Sequence, residues 1–197
     1  MKENIDALEY RHPEHDIPIE FLQRWSSIAM SGEEITREEL MPLFEAARWA
    51  PSSYNNQPWR FFYALRGSDD WDKFLGLLAE GNRGWAKNAS ALIVIASKTT
   101  FDYNNKPSIT HSYDTGAAWG YLALMASMSG LVARGMQGFD YDRAREVVRL
   151  SEEFKVEAMA AVGKPGSPDS LPEEMRERDA PSGRKSLTET VFEGGFK

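Results

Sequence analysis

Between Gly116 and Ala133 the chain reads GAAWGYLALMASMSGLVA, eighteen consecutive residues without a charge. A stretch of that kind has two solutions: it spans a membrane, or it forms a helix at the centre of a folded core. Here Gly116, Gly120 and Gly130 interrupt it, serines weaken it further, and no anchoring residues flank it. The sequence therefore predicts a fully buried core helix capped by Asp114, with Trp119, Tyr121, Leu122, Leu124 and Met125 as core residues. The rest of the chain must supply layers to cover it.

Those layers are legible in part. ALIVIAS (91–97) is a short continuous apolar run, as expected of a central strand buried on both faces. WRFFYAL (59–65), LVARGM (131–136) and VEAMAAVG (156–163) read as further strands. Helices are expected over 18–25, after Thr36, over 70–81 and after Asp140. Thr36-Arg-Glu-Glu39 is a capping box, and Pro42 should make the helix behind it start late or bend. After Gly163 the texture turns to Pro, Ser and charge, which predicts a surface-wrapping loop over 164–186. Residues 1–17 form an N-terminal extension, and LTETVFEGGF near the C-terminus reads as a strand and tail (187–197). Strands and helices mix without strict alternation, so the expected fold is α+β, one domain over residues 1–197.

Composition removes many functions. The 197 residues carry 30 acidic and 23 basic side chains, a net charge of −7, which argues against nucleic-acid binding. With no cysteine there is no disulfide, thiol nucleophile or Cys-ligated metal. Only three histidines occur, so a transition-metal site is not expected. His12 and His15 read as solvated, and His111 as a hydrogen-bonded loop residue. The N-terminus lacks an apolar signal segment, so a cytoplasmic protein that avoids membranes is expected. GKPGS (163–167) has a lysine but no phosphate cradle, and Gly-x-Gly-x-x-Gly, Gly-x-Ser-x-Gly and His-Glu-x-x-His are all missing.

What remains is APSSYNNQPW (50–59). A turn needs one or two Pro or Asn to set its dihedrals, whereas this segment holds a surplus of amides and hydroxyls. Clustered amides, small-residue turns and isolated arginines suit a protein that holds an organic cofactor and lets it do the chemistry.

RWAPSSYNNQPWRF (48–61) resembles the flavin-binding segment of the nitroreductase family. Four further elements are similar to that family in order: RWSS (24–27), Asn82, the central helix followed by GMQGFD (135–140), and GRKSLTETVFEGGF (183–196). The resemblance implies an intertwined homodimer whose mostly antiparallel sheet is flanked by helices, with C-terminal strands exchanged. It implies FMN as cofactor, NADH or NADPH as electron donor, and a flat acceptor such as a nitroaromatic, quinone or flavin. Arg24, Trp25 and Ser26, with Arg184 and Lys185, would serve the phosphate end. Pro51, Ser52, Ser53 and Asn55 would reach a neighbour's flavin, and the amides of Asn55, Asn56 and Gln57 suit the ring's polar edge. Asn82 would meet the pyrimidine side, and the turn Gly135-Met136-Gln137-Gly138 would approach N5. No catalytic side chain is assigned, because flavin N5 is the reactive centre. Many family members carry a basic residue where this chain has Ile28, which leaves two alternatives open: a specialised flavin reaction such as dehalogenation, ring cleavage or enoate reduction, or a flavin-binding regulatory module without turnover.

Overall fold

Four strands carry the chain's β-branched and small apolar residues into one antiparallel sheet. In the computed structural model, which describes residues 6–196, these are β1 (Trp59–Leu65), β2 (Ala91–Lys98), β3 (Val132–Met136) and β4 (Phe154–Gly163). Their order across the sheet is β1-β2-β4-β3, and every neighbouring pair is antiparallel. β2 and β4 are central. Successive side chains of a strand point to opposite faces, so Leu92 and Val94 enter one core and Ile93 and Ile95 the other.

Of the seven α-helical pieces among the described residues, five cover the two faces. On one side α3 (Trp71–Leu75), α4 (Glu80–Ala86) and α6 (Tyr141–Val147) bring Trp71, Phe74, Trp85 and Ala144 against Leu92, Val94, Met159 and Ala161. On the other, α2 (Arg37–Arg48) and α5 (His111–Met128) bring Leu40, Leu43, Ala47, Ala118, Leu122 and Ala126 against Ile93, Ile95, Ala160 and Val162. The short α1 (Glu20–Gln23) and α7 (Glu173–Arg176) lie in the flanking segments.

Several boundaries differ from expectation for identifiable reasons. The capping box forms as read, with Glu39 N–H donating to Thr36 and Thr36 N–H to Glu39, and α2 runs through Pro42 from Arg37 without a late start. The single helix expected over 70–81 is two. α3 stops at Gly76, Leu78 bridges to Phe139, and Gly81 lies inside α4. α5 begins at His111, not at Asp114. Asp114 sits in its first turn, where Oδ2 accepts from Ser53 N–H and from Thr110. His111 is therefore helical, not a loop residue.

α5 is also not buried all round. Leu122 is fully enclosed, but Tyr121 and Met128 are exposed, and Tyr113 is 80% exposed. The expected C-terminal strand is likewise absent: residues 187–189 form a 3-10 turn and no strand follows among the described residues. A strand needs a ladder partner, and this tail reaches no edge of its own sheet.

One irregularity in the sheet has a clear consequence. Ile95 pairs with Ala158 and Ala96 with Val156, so Glu157 is an extra residue, a β-bulge. The bulge turns its carboxylate towards the start of α5, where Oε1 accepts from Ser97 (2.6 Å) and Ser112 (2.7 Å) and Oε2 from Lys155 (3.1 Å). Ser97 in turn bonds His111 Nδ1 at 2.7 Å. Burial alone raises the Glu157 carboxyl, but these hydrogen bonds and the Lys155 charge outweigh it and hold the group below the ordinary carboxylate value.

Candidate functional site

After α1 the chain turns extended at Arg24 and runs to Met30 along the end of β4. Two approaches fix that run. Ser31 N–H donates to Lys164, and Gly166 N–H to Ala29. Gly166 is required here, because a β-carbon would lie 2.6 Å from the Met30 carbonyl carbon. From the far end of the chain, Asp179 inserts a carboxylate only 3% exposed. Its Oδ2 accepts from Ser27 Oγ and its Oδ1 from Ile28 N–H, both at 2.7 Å. Ile28 is buried in the core and offers no charge.

Arg24 and Ser26, which the sequence singles out, are in contact: Arg24 Nη1 donates to Ser26 Oγ at 3.3 Å. Trp25 between them is half-buried. The Ser26 carbonyl accepts from Arg134, which lies on β3 next to Gly135, with its guanidinium 5.7 Å from the centre of the Trp85 ring. Arg134 thereby ties the first element to the glycine segment. Burial pushes Arg134 below the ordinary arginine value, and the Asp179 charge partly offsets this.

Asn82, in the first turn of α4, meets the other end of that segment. Its amide donates to the Gly138 carbonyl at 3.0 Å, and Ala79 N–H does the same at 3.0 Å. A β-carbon on residue 138 would stand 2.9 Å from the Asn82 amide nitrogen, so a side chain is disfavoured there. The expected four-residue turn is half strand: Gly135 and Met136 are the last residues of β3, Met136 is buried, and only Gln137 and Gly138 lie beyond it. Gly135 is exposed, with the Trp119 ring 3.3 Å from where a β-carbon would sit. Asn82 thus stands at the start of a helix, held by backbone, and not just past the end of the helix expected over 70–81.

Arg184 is exposed and bonds only its own neighbourhood, the Ser182 carbonyl and hydroxyl and the Gly183 carbonyl. Its charge nonetheless reaches Arg24. Burial first, and then Arg184, push the Arg24 guanidinium below its ordinary value. Arg11 feels burial, Arg184 and Arg24, in that order. Among the described residues none of these three arginines makes an ion pair. The exposed Lys185 makes no hydrogen bond there. Three like charges that influence one another, with no ion-paired carboxylate among the described residues, suit an anion with several oxygens.

The opening loop does not join this group. Its residues Pro51–Gln57 lie against the loop after β2 and the start of α5. Gln57 N–H donates to Ser52 Oγ (3.0 Å), Ser53 N–H to Asp114, and the Gln57 amide to the Asn55 carbonyl (2.9 Å). Asn56 is not free to meet a ligand: it donates to the Thr100 carbonyl and accepts from Asp102 N–H. Tyr54, Asn55 and Gln57 all have left-handed backbone, with φ of 51°, 53° and 48°. Tyr54 packs against Phe101 and Tyr103, ring centres 5.6 and 5.7 Å away. The result is a polar hollow of about 360 Å³ edged by Asn55, Gln57, Arg60 and Asp102, with the amides of Asn55 and Gln57 facing solvent. Arg24 instead edges an apolar groove of about 660 Å³ along α5, with Phe21, Ala46, Tyr121, Met125 and Met128.

The sequence reading missed Arg11, Arg134 and Asp179. Arg11 and Asp179 stand in charged, unpatterned stretches, and Arg134 in a strand where a buried cation is unexpected. Only their partners mark them, and those lie far off in the chain.

The model of the nitroreductase family matches residues 22–83, which include the Arg24 element, the opening loop and Asn82. A solved structure described as an oxidoreductase containing FMN is 44% identical, covers 95% of this chain and 96% of its own, and superposes with a TM-score of 0.91. Protein DrgA of Synechocystis sp. is 27% identical over 179 residues, 77% of this chain and 80% of its own length. An oxygen-insensitive NADPH nitroreductase of Helicobacter pylori is 39% identical over 64 residues, 32% of this chain and 30% of its own. The chain belongs to the nitroreductase family. Among the described residues no helix is long and apolar enough to cross a membrane.

Proposed function

We propose that the protein is an FMN-dependent oxidoreductase using NADH or NADPH, and that its flavin site lies where the Arg24 element, Asn82 and the Gly135–Gly138 segment converge. The observation that carries the reading is that Arg11 joins the Arg24 and Ser182 carbonyls, drawing the Arg24 and Arg184 arms together with no ion-paired carboxylate among the described residues. That arrangement fits the phosphate of FMN. The 44% identical FMN-containing oxidoreductase supports the same cofactor. When bound, FMN would supply two-electron redox chemistry between NADH or NADPH and a flat electron-poor acceptor such as a nitroaromatic, a quinone or free flavin.

The chain's own groups have binding and positioning roles. Arg24 and Arg184 hold the phosphate from opposite ends of the sequence, with Trp25, Ser26 and Lys185 beside them. The Asn82 amide, fixed by the Gly138 carbonyl, presents its oxygen to the ring's polar edge. The Gly135–Gly138 backbone comes close because side chains are absent at two of its positions. No side-chain acid or base is required for hydride transfer, and rate depends on how the two rings are held.

Pro51, Ser52, Ser53, Asn55 and Gln57 complete the site from a second copy. The exposed side of α5, Phe21 at 56% exposure and the tail residues Val191 and Phe196 give such a copy apolar surface to cover. Exchange of the C-terminal tails would give those residues the ladder they lack within one chain. A second reading, a flavin-binding module without turnover, rests on Ile28, which supplies no cation near the ring.

One anaerobic titration tests both. The purified protein is expected to show a flavin spectrum that bleaches on adding NADH or NADPH. A bound flavin that stays oxidised with both donors selects the module. A colourless protein that cannot be reconstituted with FMN overturns the reading.

A further inference from the structure

Arg11 lies in a stretch that otherwise faces solvent, His12 to Ile19 being exposed, yet Arg11 itself is only 9% exposed. Surface solvation therefore does not explain it. Its Nη1 donates to the carbonyls of Leu22 and Arg24, each at 2.7 Å, and its Nε to the carbonyl of Ser182 at 3.2 Å. A guanidinium has five N–H donors. Nη2 has no partner among the described residues.

The choice of carbonyls is informative. Leu22 and Arg24 belong to the segment that carries the Arg24 guanidinium, and Ser182 stands two residues before Arg184. One buried side chain thus pins both arms of the cationic cluster, across separations of 11, 13 and 171 positions. Glu14 adds a second fixing to the same arm, its Oε1 accepting from Leu187 N–H at 3.0 Å. Backbone carbonyls satisfy three of Arg11's donors, but they do not cancel its repulsion by two neighbouring guanidiniums. A buried cation among like charges is stable only with a compensating anion nearby. No described side chain supplies one.

We propose that Arg11 is a positioning residue for a phosphate monoester. It clamps the 182–187 arm against residues 22–24 so that Arg24 and Arg184 converge on one dianion, and its own Nη2 faces the same anion. The proposal rests on the flavin reading above, and it gives the N-terminal extension a role in cofactor selection: it makes the site prefer FMN over riboflavin.

The test compares the two flavins on the full-length chain. FMN and riboflavin are titrated into flavin-free wild type, Arg11→Gln, Arg11→Lys and Glu14→Ala, following flavin fluorescence. Wild type should prefer FMN. Arg11→Gln should weaken FMN about 30-fold, the scale of one lost charge-assisted hydrogen bond, and riboflavin by less than about 3-fold. Arg11→Lys should recover little, because a compact ammonium lacks the planar fork of donors with which the guanidinium reaches both arms at once. Glu14→Ala, which leaves the cluster's charges in place, should weaken FMN by about 3- to 10-fold through the loosened arm. A wild-type FMN-to-riboflavin ratio in Arg11→Gln overturns the proposal, as does an equal loss of both flavins. If Arg11→Gln does not fold, an unchanged ratio in Glu14→Ala overturns it instead. A wild type that binds neither flavin defeats the cofactor reading itself, and is told apart from these outcomes by the wild-type titration alone.

Discussion

The arginine corner and the opening loop are both polar, and the sequence marks both, yet they are built in opposite ways. The corner is assembled from contacts between distant parts of the chain: Asp179 with Ser27 and Ile28, Arg134 with Ser26, Arg11 with Ser182. Its backbone and carboxylate groups are tied within one copy, while its guanidiniums meet no ion-paired carboxylate among the described residues. The loop is held mostly by bonds inside its own seven residues and to one neighbouring loop. It stores three left-handed residues and leaves Tyr54 at 79% exposure. A conformation that costly persists when it serves a site, and among the described residues only the Asn55 carbonyl meets the exposed amides of Asn55 and Gln57. Under the proposed function, the corner would be finished by a ligand and the loop by a second copy.

That contrast breaks most readily at Asp179. Replacing it with alanine strands the Ser27 hydroxyl and the Ile28 N–H in a buried position and releases the 179–184 arm. The expected cost is about 3 kcal/mol of stability with loss of bound flavin, read by urea denaturation. A cost below about 1 kcal/mol would mean the corner is no better anchored than the loop.

A smaller effect is expected at Glu157, which fastens the start of α5, and with it the Asp114 contact to the loop. Glu157→Gln should cost about 1–2 kcal/mol at neutral pH. The folded carboxyl titrates below its ordinary value of 4.5, so the ionised form is the one that folding favours. Its contribution is complete above that value and disappears as the pH falls through the lower, folded one. Stability curves of wild type and Glu157→Gln should therefore converge in acid. Parallel curves down to pH 3 would assign the acid loss to other groups.

Short-range rules placed most elements. The capping box at Thr36, the both-face burial of 91–97 and the helix after Asp140 needed only neighbours in sequence, and all three are present. Errors arose where long-range contacts decide. The 70–81 helix is cut because Leu78 pairs with Phe139, and α5 starts early because His111 and Ser112 find Ser97 and Glu157. For the site, the family resemblance singled out Arg24, Asn82 and the glycines, which the fold brings together. Arg11, Arg134 and Asp179 had no such mark. Each acts on a residue more than ten positions away, and no periodicity encodes that.

The finest distinction between corner and loop lies at Gln57, where stability and function should separate. Its left-handed φ of 48° is unfavourable for a side-chain-bearing residue by about 1 kcal/mol, which glycine would relieve. Glycine also loses more conformational entropy on folding, by a similar amount, and forfeits the exposed bond to the Asn55 carbonyl. The bond from residue 57 N–H to Ser52 Oγ survives. Gln57→Gly should therefore alter stability by no more than about 0.5 kcal/mol, within the range of an ordinary surface change. If the exposed amide serves a flavin held by the other copy, FMN should nonetheless dissociate several-fold faster. Gln57→Asn, which keeps an amide on a residue tolerant of this backbone, should fall in between. Wild-type dissociation in both variants would show that the loop contributes its shape and not its side chain at position 57, and the two-copy site would then rest on Pro51–Asn55 alone.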